Sequence, residues 1–115
     1  MTGVQTCALP ISRVWDADTG KPVGEPMTHD DRIYSASFST DDKRVVTASG
    51  DKSARVWDAD TGKPVGEPMA HGKKVRSASF SHDGQRVVTA SDDKTARVWD
   101  ADTGKPVGAP MTHVG

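Results

Sequence analysis

Short runs of alternating small and large apolar residues, each about six positions long, are set between clusters of Asp, Gly, Ser, Thr and Lys along most of the chain. In the best-defined stretch, 74–81 alternates small and large side chains, 86–91 carries a pair of valines, 95–100 ends in Trp-Asp, and 106–112 is interrupted by prolines. The residues between these runs are turn formers. Asp83-Gly84 is a hairpin signal, Asp92-Asp93-Lys94 a tight polar turn, and Asp102-Thr103-Gly104-Lys105 a turn with glycine available for positive φ. The pattern predicts four strands joined by short turns, with the fourth confined to a sheet edge because proline cannot donate to a ladder.

This unit repeats. Trp15, Trp57 and Trp99 lie 42 residues apart, His29, His71 and His113 keep the same step, and so do Phe38 with Phe80 and Asp51 with Asp93. Residues 13–54 align with 55–96 without a gap and agree at 31 of 42 positions, while residues 97–115 begin a third copy. Four strands of about six residues with turns of about four account for a period of roughly 40. The identity stops abruptly between Ser12 and Arg13, so residues 1–12 are set apart from the fold as an artefactual segment or a disordered tail.

Composition supports strands over helices. A single Leu stands beside 13 Val, with 11 Thr, 10 Ser, 11 Gly and 7 Pro, a poor supply for helix and a good one for short strands and turns. Lys and Arg total 15 against 16 Asp and Glu, a net charge of -1 with the signs interspersed, which argues against a nucleic-acid or anionic-membrane partner. No apolar run is long enough for a transmembrane helix or the core of a signal peptide. The lone Cys7 excludes an internal disulfide and a thiolate zinc cluster.

A period of 42 with Arg-Val-Trp-Asp closing the third strand, and a His 28 residues before each Trp, resembles the WD40 repeat. The resemblance covers residues 13–115. One departure is that the Gly usually found before the His is Thr28, Ala70 or Thr112. It implies an all-β fold, a partial β-propeller, with two full four-stranded antiparallel blades at 29–70 and 71–112. The end of a truncated blade at 13–28 precedes them and the start of another at 113–115 follows. Propellers of this class close with four to eight blades, so the expectation is a fragment of a longer, bacterial-type repeat protein. The paired valines Val45-Val46 and Val87-Val88 suggest blades covered on both faces.

His, Asp and a hydroxyl residue recur in each full copy, and His71, Asp93 and Thr89 have the ingredients of a nucleophilic triad. The resemblance implies a structural role instead. His29, Thr47, Asp51 and Trp57 in one blade, and His71, Thr89, Asp93 and Trp99 in the next, would form a hydrogen-bonded chain, the indole donating, the carboxylate accepting, the imidazole and hydroxyl relaying. An enzyme needs one such site, whereas a scaffold needs one per blade. The Gly20-Lys21, Gly62-Lys63 and Gly104-Lys105 pairs are not phosphate loops, since Pro follows each Lys and no Gly sits five residues before the pair. Histidines isolated by 42 residues have no ligand set around them in sequence. No catalytic residue, cofactor or metal is expected.

The two full copies differ at 11 positions, five of them consecutive: Asp30-Asp31-Arg32-Ile33-Tyr34 becomes Gly72-Lys73-Lys74-Val75-Arg76. An acidic loop becomes a basic one. The resemblance places this segment in the loop leading into each blade's innermost strand, on a face where such propellers contact partners. Asp30, Asp31, Arg32, Tyr34, Lys73, Lys74 and Arg76 are therefore candidate partner-binding residues, side by side on adjacent blades, with Tyr34 as an aromatic anchor. The alternatives are drift at solvated loop positions and, for Tyr34, a ring lying against the neighbouring blade. The expected function is a non-catalytic protein-protein interaction scaffold. The second reading is a regulatory or sensor propeller of a signalling enzyme whose catalytic domain lies outside this chain. Expected partners are other proteins, the remaining blades of a parent propeller, or further copies of the chain through open edges.

Overall fold

The computed structural model describes residues 2–6, 11–16, 21–29, 31–109 and 111–112. Among the described residues, eleven strands form three antiparallel sheets, each a simple meander. The first holds β1 (Thr2–Thr6), β2 (Ile11–Asp16) and β3 (Pro22–Thr28); the second β4 (Ile33–Phe38), β5 (Arg44–Ser49), β6 (Ser53–Asp58) and β7 (Pro64–Ala70); the third β8 (Val75–Phe80), β9 (Arg86–Ser91), β10 (Thr95–Asp100) and β11 (Met111–Thr112). These are two four-stranded blades preceded by the end of another.

The paired valines explain the stacking, because successive side chains on a strand point to opposite faces. Val45, with Trp57 and Ala59, packs toward Met27 of the first sheet. Val46, with Ala48, Ala54, Val56 and Met69, packs toward Val75, Ala78, Val87 and Trp99 of the third. The middle sheet is thus covered on both sides. Each interface uses the same step, a Met from one sheet's outer strand against the Trp of the next, and each fully buried Val, Met or Leu is worth about 1.5–3 kcal/mol. The turn after β10 adds a backbone contact: Glu67 N–H donates to the Thr103 carbonyl at 3.0 Å. Gly104 sits beside it at φ +77°, where a Cβ would come within 2.1 Å of the Glu67 carbonyl oxygen.

Two expectations are corrected. Residues 2–6 and 11–12 do not stand outside the fold, since β1 pairs with β2 in the register that β5 takes with β6: Gly3 opposite Trp15 corresponds to Val45 opposite Trp57, and Val4 opposite Val14 to Val46 opposite Val56. The extended, β-branched Thr2-Gly-Val-Gln-Thr6 segment satisfies the open edge of β2 although its letters differ from the repeat. The first sheet therefore has three strands where two were expected. Strand 106–112 is also shorter than expected, reduced to a bridge between Pro106 and Trp99 and the two residues of β11. Its counterpart β7 is gripped by the turn of the following sheet through Glu67, whereas among the described residues nothing grips 109 in the same way.

Candidate functional site

In each blade the histidine before the innermost strand, a threonine on the second strand, an aspartate in the following turn and the tryptophan of the third strand meet in one hydrogen-bonded chain. In the first blade, Trp57 Nε1–H donates to Thr47 Oγ1 at 2.9 Å, Thr47 Oγ1 lies 2.6 Å from His29 Nε2, and His29 Nδ1 lies 2.8 Å from Asp51 Oδ2. In the second, the corresponding distances for Trp99, Thr89, His71 and Asp93 are 2.9, 2.6 and 3.1 Å. The imidazole meets the indole edge to face, with ring centroids 5.9 and 5.8 Å apart.

Donor arithmetic fixes the direction of the chain. The indole can only donate, so the threonine hydroxyl accepts from it and has its own proton to give. That proton goes to Nε2, which leaves the histidine proton on Nδ1, facing the carboxylate. Both threonines and both imidazoles are fully buried. Each threonine hydroxyl is thus sealed from solvent and already accepts an indole N–H.

Further hydroxyls complete the brace. Ser53 Oγ donates to Asp51 Oδ1 at 2.6 Å, and the Thr95 hydroxyl donates to Asp93 Oδ1. Ser49 and Ser91 bond the carbonyls of Arg32 and Lys74 at 2.8 and 2.9 Å, tying each incoming loop to the second strand. These four are not among the residues expected from the sequence, although Ser49 and Ser91 carry the 42-residue period and Ser53 and Thr95 share a hydroxyl at that spacing. Burial opposes the charge on Asp93, but bonds from the Thr95 hydroxyl, His71, and the Gly72 and Thr95 backbone N–H groups outweigh it. Its carboxyl is held well below the usual carboxylate range.

The divergent loops lie at the same end of the blades. Asp30 lies outside the described residues. Asp31, Arg32, Lys73 and Lys74 are exposed. Tyr34 is half-buried, and the Arg76 guanidinium lies over its ring with Cζ 4.8 Å from the centroid. The ring does lie against the neighbouring blade, so the acidic and basic loops stand next to one another with the Tyr34 and Arg76 stack between them. Arg76 also holds Asp92, through Nε at 2.9 and 3.1 Å and Nη2 at 2.9 Å. That pairing lowers the Asp92 carboxyl below its ordinary range and raises Arg76. Among the described residues no three His, Cys, Asp or Glu side chains are placed to hold a metal ion.

The comparisons with known proteins agree with this architecture. The chain is similar to the computationally designed Ika4 protein, whose crystal structure aligns with a TM-score of 0.86 and 26% identity over 97% of this chain and 68% of that one. No curated protein matches the chain in sequence. The family described as WD domain, G-beta repeat matches residues 20–58 and 62–100. Each matched unit runs from the outer strand of one sheet through the third strand of the next, so the repeat and the blade are offset by one strand and consecutive blades are covalently interlocked. With more than half of its residues in those two units and a His-Thr-Asp-Trp chain in each full blade, this chain belongs to the WD40 repeat family.

Proposed function

We propose that the chain is a non-catalytic scaffold that binds other proteins through the exposed loops at one end of its blades. The WD40 fold is of the protein-interaction scaffold type. The observation that carries the reading is a division of labour. The polar residues of the hydrogen-bonded chains are common to both copies, with their histidines and threonines buried. The loop charge that changes sign, Asp31 against Lys73, is exposed near the Tyr34 and Arg76 stack, with Arg32 and Lys74 exposed next to it. Charges placed this way orient a partner carrying the opposite pattern and govern its on-rate and salt dependence more than its affinity. The outer face of the second blade supports a scaffold completed by further blades: Val88 is 40% exposed, whereas Val46 at the same repeat position is 0% exposed under the next sheet.

A charge exchange tests this. Residues 30–32 are swapped with 72–74, leaving Tyr34 and Arg76 in place, and proteins retained by the immobilised wild-type and swapped chains are compared at low and high salt. The expected result is a partner set that the swap changes and that salt weakens, with surface charges screened beyond about 8–10 Å at ordinary ionic strength. Identical retention by both chains at low salt would leave drift as the reason for the divergence.

A further inference from the structure

Tyr34 and Arg76 occupy the same repeat position, and so do Gly50 and Asp92. Both positions are among those that differ between copies, and they differ together: Tyr with Gly in the first blade, Arg with Asp in the second. Each combination fits within its own blade. A Cβ on Gly50 would stand 3.2 Å from the Tyr34 hydroxyl and 3.2 Å from the Asp31 carboxylate, so a side chain there would press on both. In the second blade Asp92 takes that place and holds the Arg76 guanidinium through Nε and Nη2. The register slips between Ile33 and Ser35 and between Val75 and Ser77 make Tyr34 and Arg76 the extra residues of β-bulges, which re-aim a side chain out of the strand's alternation.

The two combinations also fit each other across the interface, through the cation over the ring. We propose that this is a matching contact that orders the blades: a blade carrying Tyr and Gly accepts, as its next neighbour, a blade carrying Arg and Asp. The surface around Tyr34 thus selects a guanidinium held by a carboxylate. Two Tyr blades in succession lose the cation, and two Arg blades bring like charges together. The other polar contacts between the described residues of these blades discriminate less. Arg44 pairs with Asp102, but the repeat supplies the same two residue types as Arg86 and Asp60. Thr40 donates to the His82 carbonyl at 3.0 Å, an acceptor that any residue provides. The inference is independent of the partner surface proposed above.

The test is a double-mutant cycle in the full 115-residue chain, read by urea unfolding. Tyr34→Leu is expected to shift the folding equilibrium about two- to fivefold toward unfolding, and to have no further effect in an Arg76→Gln background, while Tyr34→Phe keeps the wild-type midpoint. The like-blade variant Arg76→Tyr with Asp92→Gly is expected to unfold at lower urea than wild type. An additive cycle, or a like-blade variant as stable as wild type, would overturn the proposal. A second readout does not depend on stability: the Arg76 δ-methylene protons are expected upfield in the proton NMR spectrum of wild type and Tyr34→Phe, and unshifted in Tyr34→Leu. Unshifted protons in wild type would remove the contact itself.

Discussion

Thr89→Val is expected to cost about 2–6 kcal/mol of stability, because it orphans two buried groups at about 1–3 kcal/mol each. Valine matches threonine in shape, so packing around this fully buried position is retained. What is lost is the hydroxyl that accepts from Trp99 Nε1 at 2.9 Å and faces His71 Nε2 at 2.6 Å. Neither group can turn to water, since Trp99 is 4% and His71 8% exposed. Thr47→Val, in the same position of the first blade, is expected to cost a similar amount. Thr61→Val serves as a control: that hydroxyl is exposed and accepts only the Lys63 N–H at 3.2 Å, and its loss is expected to stay within about 0.5 kcal/mol. Urea unfolding followed by tryptophan fluorescence measures all three. A Thr89→Val chain as stable as wild type would show that the hydroxyl is not a keystone of the blade.

Val46→Asp is expected to unfold most of the protein, while Val88→Asp, the same change at the same repeat position, is expected to cost about 1 kcal/mol. Val46 is sealed among Val56, Val75, Val87 and Trp99 between two sheets. An unpaired carboxylate there costs about 3–5 kcal/mol or more, a large part of the roughly 5–15 kcal/mol that stabilises a domain of this size. Val88 lies on the outer face of the third sheet and keeps its access to water. Circular dichroism and thermal melting of the two variants separate the outcomes. Equal losses from both would mean that the sheets are not stacked in the order described.

Much of this architecture was legible in advance, for a physical reason. Period-2 alternation and turn residues with one conformational use, such as the Asp-Gly of residues 83–84 with Gly84 at φ +72°, mark strand ends well, and repetition at 42 residues multiplies the signal. Strand 106–112 was over-read because its letters match those of β7, while strand length there depends on what grips the edge. The strand at Thr2–Thr6 was missed because backbone pairing satisfies an open edge without requiring the repeat's side chains. Likewise, the His-Thr-Asp-Trp chain could be anticipated because the resemblance to the WD40 repeat implies it position by position, and its members are residue types that can only donate, only accept or relay. Ser49, Ser53, Ser91 and Thr95 escaped notice because hydroxyls near an Asp are common in ordinary turns. The Tyr34 and Arg76 stack was legible only in part: a ring against the neighbouring blade was one alternative for Tyr34, but the cation over it depends on the bulges that re-aim two residues of one repeat position.

The central claim is that each blade is braced by a buried, directional chain from indole to carboxylate. Nitrogen-15 NMR of the histidine side chains at pH 7.5 tests it most directly, because each link of the chain depends on where the imidazole proton sits. The account predicts that His29 and His71 both carry the proton on Nδ1, accept at Nε2, and exchange the Nδ1 proton slowly with solvent. A proton on Nε2, or fast exchange at either ring, would contradict it.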